Sequence, residues 1–169
     1  MSRMDFLPDY IEKDGALIHR IANVAGALTI GAGSRIDAFV TITGVVRIGR
    51  NVHISTGACI FGGEGVEIGD YSAVSVQAKI FTATEDLSGE SFVNPTVSHD
   101  RSPRKAPVSI GRHCVVGAGS VLLPGAKFHD GACCGALSLV KEPLAAWSIY
   151  AGTPAKYLKA RSRAVLEKE

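Results

Sequence analysis

Five histidines, at positions 19, 53, 99, 113 and 129, are the groups in this chain best suited to moving protons near neutral pH. No Ser–His–Asp arrangement of a nucleophile is readable around them, and no glycine-rich loop ends in GK[ST]. Cysteines stand at 59, 114, 133 and 134 without a CxxC pair or a disulfide framework. Their small apolar neighbours mark them as reduced packing residues. The chemistry on offer is therefore general acid–base work by histidine, with carboxylates at Glu85 and Asp86 and an amide at Asn94 able to bind polar groups.

The elements that must hold these groups follow from a repeat of six. Ile18, Val24, Ile30, Ile36, Ile42, Ile48, Ile54 and Ile60 fall on one comb, and a two-residue slip at 62–65 resets it to Ile68, Val74 and Ile80. The comb returns at Ile110 and runs through Val116, Leu122, Phe128 and Cys134 to Val140. Four residues after each comb position stands a small or β-branched residue, among them Ser34, Val52, Ser72, Cys114, Ser120 and Ser138. An aliphatic residue, a small residue and a frequent glycine in each six describe a short strand and a tight corner. Three such faces close a prism of about 18 residues per coil, and the coils must stack because none buries its own face. The fold class is all-β, a parallel β-helix over 18–140. Residues 1–17 cap it, and 141–169 form a C-terminal segment, all in one domain.

The comb breaks over 81–107, a polar excursion rich in charge and turn formers. A loop this long on a rigid scaffold suits a lid. It carries Glu85, Asp86, Asn94 and His99, the last beside Asp100 and Arg101. After 140, Thr153 and Pro154 read as cap and first residue of an α-helix running from about 154 to 167, with Lys156, Lys159, Arg161 and Arg163 along it. A formal charge of +2 argues against a broad nucleic-acid surface. The acidic start "MSRMDFLPDYIEKDG" does not read as a signal peptide, and no window has the roughly 18 apolar residues of a membrane span. A cytoplasmic location is expected.

With these motifs the chain resembles the hexapeptide-repeat acyltransferases, which fold as left-handed parallel β-helices. The likeness covers roughly 18–160. It is most similar to the sugar and polysaccharide acetyltransferases, on "NPT" at 94–96, "IGRHCVVGAGSVLLPGA" at 110–126 and "YAGTPAKYLKAR" at 150–161. The resemblance implies transfer of an acetyl group from acetyl-CoA to a hydroxyl or amine of a sugar or nucleotide-sugar, in surface polysaccharide synthesis. It also implies a homotrimer with active sites between subunits, where an outward histidine beside a corner faces a groove. His53, directly after inward Val52, is then the first candidate base, with His99 second. Gly117, Ala118, Ser120, Ala136 and Ser138 match the places where backbone amides of small residues hold the coenzyme A arm. Lys141, Lys156 and Arg161 are candidates for its phosphates. Glu85, Asp86 and Asn94 are candidates for the acceptor, Glu85 and Asp86 standing where many relatives carry a histidine–proline pair. No metal is expected. An acyltransferase for a non-sugar acceptor, a zinc carbonic anhydrase built on the same prism, and a β-helix scaffold without chemistry stay open.

Overall fold

The computed structural model describes residues 9–94, 96–97 and 99–169. The chain winds as a parallel β-solenoid whose three sides are columns of short strands. On the first side the pairs Leu17–Ile18, Arg35–Ile36, His53–Ile54, Ala73–Val74, Val115–Val116, Cys133–Cys134 and Ile149–Tyr150 stack in register. The second side stacks Val24, Ile42, Ile60, Ile80, Leu122 and Val140. The third stacks Ile30, Ile48, Ile68, Ile110 and Phe128. The inward members of these stacks up to Val140 are the comb residues, and from Ile30 onward all of those are buried in one core, with Tyr150 packed against it and partly buried. Val24 is 36% exposed and Ile18 only partly buried, because the first coil has no full coil beneath it.

Coils this close need backbone without side chains at selected points. Gly26, Gly44 and Gly62 lie one above another, and a Cβ on Gly44 would sit 2.3 Å from the Gly62 carbonyl oxygen. Gly44 also has φ of +79°, a left-handed conformation that glycine alone adopts freely. The two-residue slip appears here as a register shift in the pairing of Thr41–Ile48 with Cys59–Ile68.

The cap is an antiparallel strand, Tyr10–Lys13, folded onto Ala16–His19. The excursion leaves the second side after Phe81 and returns to the third side at Val108–Ile110. Its neck is zipped by Ala83–Thr84 pairing antiparallel with Arg104–Lys105.

The C-terminal α-helix expected over 154–167 does not form. Lys156–Ala160 is a strand, antiparallel to Ser148–Ala151, and only Ala164–Lys168 turns, as a 3-10 helix. Helix propensity is worth a few tenths of a kcal/mol per residue. The last coil offers an edge of unpaired backbone groups, and pairing with it satisfies donors and acceptors that would otherwise remain open. The Thr153 hydroxyl donates to the Leu137 carbonyl of the preceding coil at 3.2 Å instead of capping a helix.

Candidate active site

His53 projects from the outer surface of the first side, one coil above Arg35. Its Nε2 lies 2.7 Å from Asp37 Oδ2 and 2.9 Å from Arg35 Nη2. Nε2 holds at most one hydrogen, so it either donates to the carboxylate or accepts from the guanidinium. The carboxylate is the nearer partner and fixes the first arrangement, which leaves Nδ1 as the basic lone pair. Asp37 is only 9% exposed and takes a second hydrogen bond from the Tyr10 hydroxyl at 2.7 Å. Arg35 Nε stands 2.8 Å from Asp37 Oδ1, an ion-pair distance without hydrogen-bond alignment.

The electrostatics follow from this packing. Burial pushes the Asp37 carboxyl up, but hydrogen bonds from Tyr10 and His53 and the charges of His53 and Arg35 outweigh it, and Asp37 sits below the usual aspartate range. The Tyr10 phenol is pushed up to about 12 by burial first, then by its bond to Asp37 and the negative charge there. Asp37 is thus a fixed anion that orients the imidazole.

Asp37 opens the corner between the first and second sides. Along this corner Ala38, Thr56, Val76, Ala118 and Ala136 succeed one another coil by coil, each accepting a bond from the amide that lies above it where a further coil follows. Ala118 and Ala136 are exposed on it, next to Gly117, where no Cβ fits above Gly135. Ser120 and Ser138 are buried; the Ser120 hydroxyl ties adjacent coils by donating to the Gly135 carbonyl at 2.9 Å, and the Ser138 hydroxyl donates to the same carbonyl within its own coil at 2.7 Å. Lys141 is exposed beside a cavity of about 130 Å3 lined by Leu139, Pro143, Tyr150 and Pro154. Lys156 is exposed on the final strand. Arg161 lies on a different corner, where its Nη1 donates to the carbonyls of His113 and Gly131.

That other corner holds His113, whose place directly before inward Cys114 implies an outward side chain, yet it is 5% exposed. Its ring stacks on Tyr71 at 5.2 Å and meets Trp147 at 6.0 Å, and its Nε2 lies 2.7 Å from Glu169. This is a packed aromatic ladder closed by the C-terminal segment.

The loop groups are engaged with one another. Glu85 pairs with Arg101. Asp86 accepts from Ser88 and Ser91, and the Ser88 backbone bond is the foremost of those that hold its carboxyl below the usual range. The Asn94 side chain accepts from Thr96, and exposed His99 meets Phe92 edge-on at 5.8 Å. Among the described residues, none of these touches the His53 cluster within one chain.

All four cysteines are free, and burial pushes the Cys114 thiol up to about 12, which suits packing and not nucleophilic attack. A concavity of about 680 Å3 runs along the outside of the third side between Arg47, Glu67, Ser109 and Lys127. Its titratable groups include Glu67, His129 and Asp130, but no hydrogen bond among the described residues joins that histidine to a carboxylate, so the first side remains the better candidate. Among the described residues no three His, Cys, Asp or Glu side chains converge as metal ligands would.

Sequence reasoning missed Tyr10, Arg35 and Asp37. Arg35 was within reach, since it lies 18 residues before His53. Asp37 is its diagonal neighbour. Tyr10 carries no signal, because the antiparallel cap lies outside the repeat.

No family model matches the chain. The dTDP-4-amino-4,6-dideoxy-D-glucose acyltransferase of Escherichia coli is 37% identical over 146 residues, 84% of this chain and 76% of that protein. A single-residue variant of AntD, an N-acyltransferase from Bacillus cereus, solved with dTDP-4-amino-4,6-dideoxyglucose and coenzyme A, superposes with a TM-score of 0.88 at 32% identity, covering 91% of this chain and 85% of that one. AntD solved with dTDP and 3-hydroxybutyryl-CoA gives the same TM-score at 33% identity, over 91% and 84% of the two chains. The chain belongs to the hexapeptide-repeat, left-handed β-helix acyltransferases, in their sugar and nucleotide-sugar branch.

Proposed function

We propose that the chain transfers a short acyl group, acetyl in the first instance, from its coenzyme A thioester to the amine of a dTDP-linked amino sugar used in surface polysaccharide synthesis. The observation that carries this reading is a histidine oriented by a buried carboxylate on the outer surface of a chain whose backbone follows AntD over nine-tenths of its length. The neutral amine attacks the thioester carbon, and the carbon–sulfur bond breaks as the tetrahedral intermediate collapses. His53 takes the proton released by nitrogen at Nδ1 and returns one to the departing sulfur, giving amide and free thiol. Asp37 positions the ring and supports its positive charge.

Gly117, Ala118 and Ala136 form the slot for the pantetheine arm, since side chains larger than methyl would close it. Ser120 and Ser138 shape that slot from inside. Lys141 and Lys156 meet the coenzyme phosphates, whereas Arg161 ties the final strand to the Tyr71–His113 corner. In a homotrimer the loop of one subunit brings Glu85, Asp86, Asn94 and His99 to the acceptor held by the next.

The test is thiol release from acetyl-CoA with dTDP-4-amino-4,6-dideoxyglucose as acceptor. Wild type, His53→Ala and His99→Ala are compared. Loss in the first variant alone supports the assignment. Equal release by wild type and His53→Ala removes His53 from the chemistry.

A further inference from the structure

We propose that Phe39 is a specificity-determining residue whose ring stacks on the nucleobase of the acceptor; this rests on the reading of the acceptor as a nucleotide-sugar. Phe39 is 67% exposed, more than any other described aromatic side chain. It also has φ of +59°, in the left-handed region. Positions equivalent to it along the same corner are Gly57 and Gly119, which take that conformation without strain, together with Gln77 and Leu137. A bulky residue there is disfavoured by the clash of its Cβ with the backbone. Solvent exposure of a phenyl ring returns nothing against that. The left-handed aromatics of the other corner differ in this respect, since Tyr71, His113 and Trp147 pack on one another. Phe39 makes no ring contact with another aromatic among the described residues. Leu137, at the equivalent position, is 75% exposed with φ of +55°, so exposure at this backbone is shared; what sets Phe39 apart is a flat, uncovered ring on the coil next to His53, a surface that suits a flat ligand.

Its place on the corner fits one end of an extended acceptor. Phe39 follows Asp37 by two residues and lies one coil, about 4.8 Å, from the coil that carries His53. Ala118 and Ala136 lie on the opposite side of His53, at the third and fourth coils beyond Ala38. Donor, proton acceptor and aromatic ring are thus arranged in that order along one corner. An acceptor whose amine reaches His53 from the side away from coenzyme A extends its nucleoside toward Phe39. A base stacked on an aromatic ring changes affinity by about 5- to 150-fold.

The experiment measures dTDP binding by titration calorimetry to wild type, Phe39→Gly, Phe39→Leu and Phe39→Trp. Phe39→Gly relieves the backbone, so its thermal midpoint is expected to equal or exceed that of wild type. Its dTDP affinity is expected to fall about tenfold or more, with Phe39→Leu similarly weakened and Phe39→Trp restored. KM for the nucleotide-sugar rises in parallel, while KM for acetyl-CoA and for the amino sugar 1-phosphate, which lacks a base, stays put. Unchanged dTDP affinity in a folded Phe39→Gly protein overturns the proposal, as does a change in its subunit number on sedimentation, which would make Phe39 an interface residue. The two claims separate cleanly. Acyl transfer with unaltered dTDP affinity in Phe39→Gly sinks this inference alone. A tenfold loss of dTDP affinity in a protein without transfer activity sinks the proposed reaction alone.

Discussion

A buried carboxylate beside a half-buried imidazole has consequences for both catalysis and stability. Removing the base in His53→Ala is expected to lower turnover about 100- to 10,000-fold with the coils intact. Asp37→Asn removes the anion that supports the imidazolium and leaves Arg35 and Tyr10 short of a partner. It is expected to lose about 1–3 kcal/mol of unfolding free energy, together with part of the activity, measured by urea titration and thiol release. The pH dependence has a definite sign. The Asp37 carboxyl is depressed in the folded chain, so its contribution is present above the usual aspartate range and is lost as pH falls through the depressed value. Tyr10 is raised from 10.0 to about 12, so the folded state holds that proton longer and loses stability as pH rises across this window. Asp37→Asn should flatten the acid limb of the stability profile and Tyr10→Phe the alkaline limb. Unchanged limbs would contradict the cluster's geometry. His53 was legible because the comb gives the face of every residue in a coil. His113 was not, since the same comb puts it outside and only the Tyr71 and Trp147 rings bury it.

At the scale of elements, the coils depend on local glycine as much as on the aliphatic comb. Gly44→Ala adds a Cβ 2.3 Å from the Gly62 carbonyl oxygen, at a left-handed backbone. Overpacking against backbone is expected to cost about 2 kcal/mol or more, read as a lower urea midpoint, and an unchanged midpoint would show that the coils can separate. The comb was readable because each inward position repeats the same demand for an aliphatic side chain. The final strand was not. Lys156–Ala160 has a helix-forming composition, and what overrides it is the open edge of the last coil, which no local sequence signal describes. The excursion was visible as a gap in the comb. Its antiparallel neck pairs Ala83 with Lys105 and Thr84 with Arg104, across the whole excursion, and carries no periodic signal.

For the whole molecule, the His53 cluster and the loop carboxylates lie apart within one chain, and the proposed homotrimer is what would bring them together. Sedimentation equilibrium is expected to return three times the 17.7 kDa chain mass, and a monomer retaining full activity would refute the shared site. The most direct test of the central claim is the thiol-release assay with acetyl-CoA and dTDP-4-amino-4,6-dideoxyglucose. The account predicts release that needs both substrates, equals the amide formed, and collapses in His53→Ala. Coenzyme A binding with no acceptor-dependent release from any nucleotide-linked amino sugar would contradict it.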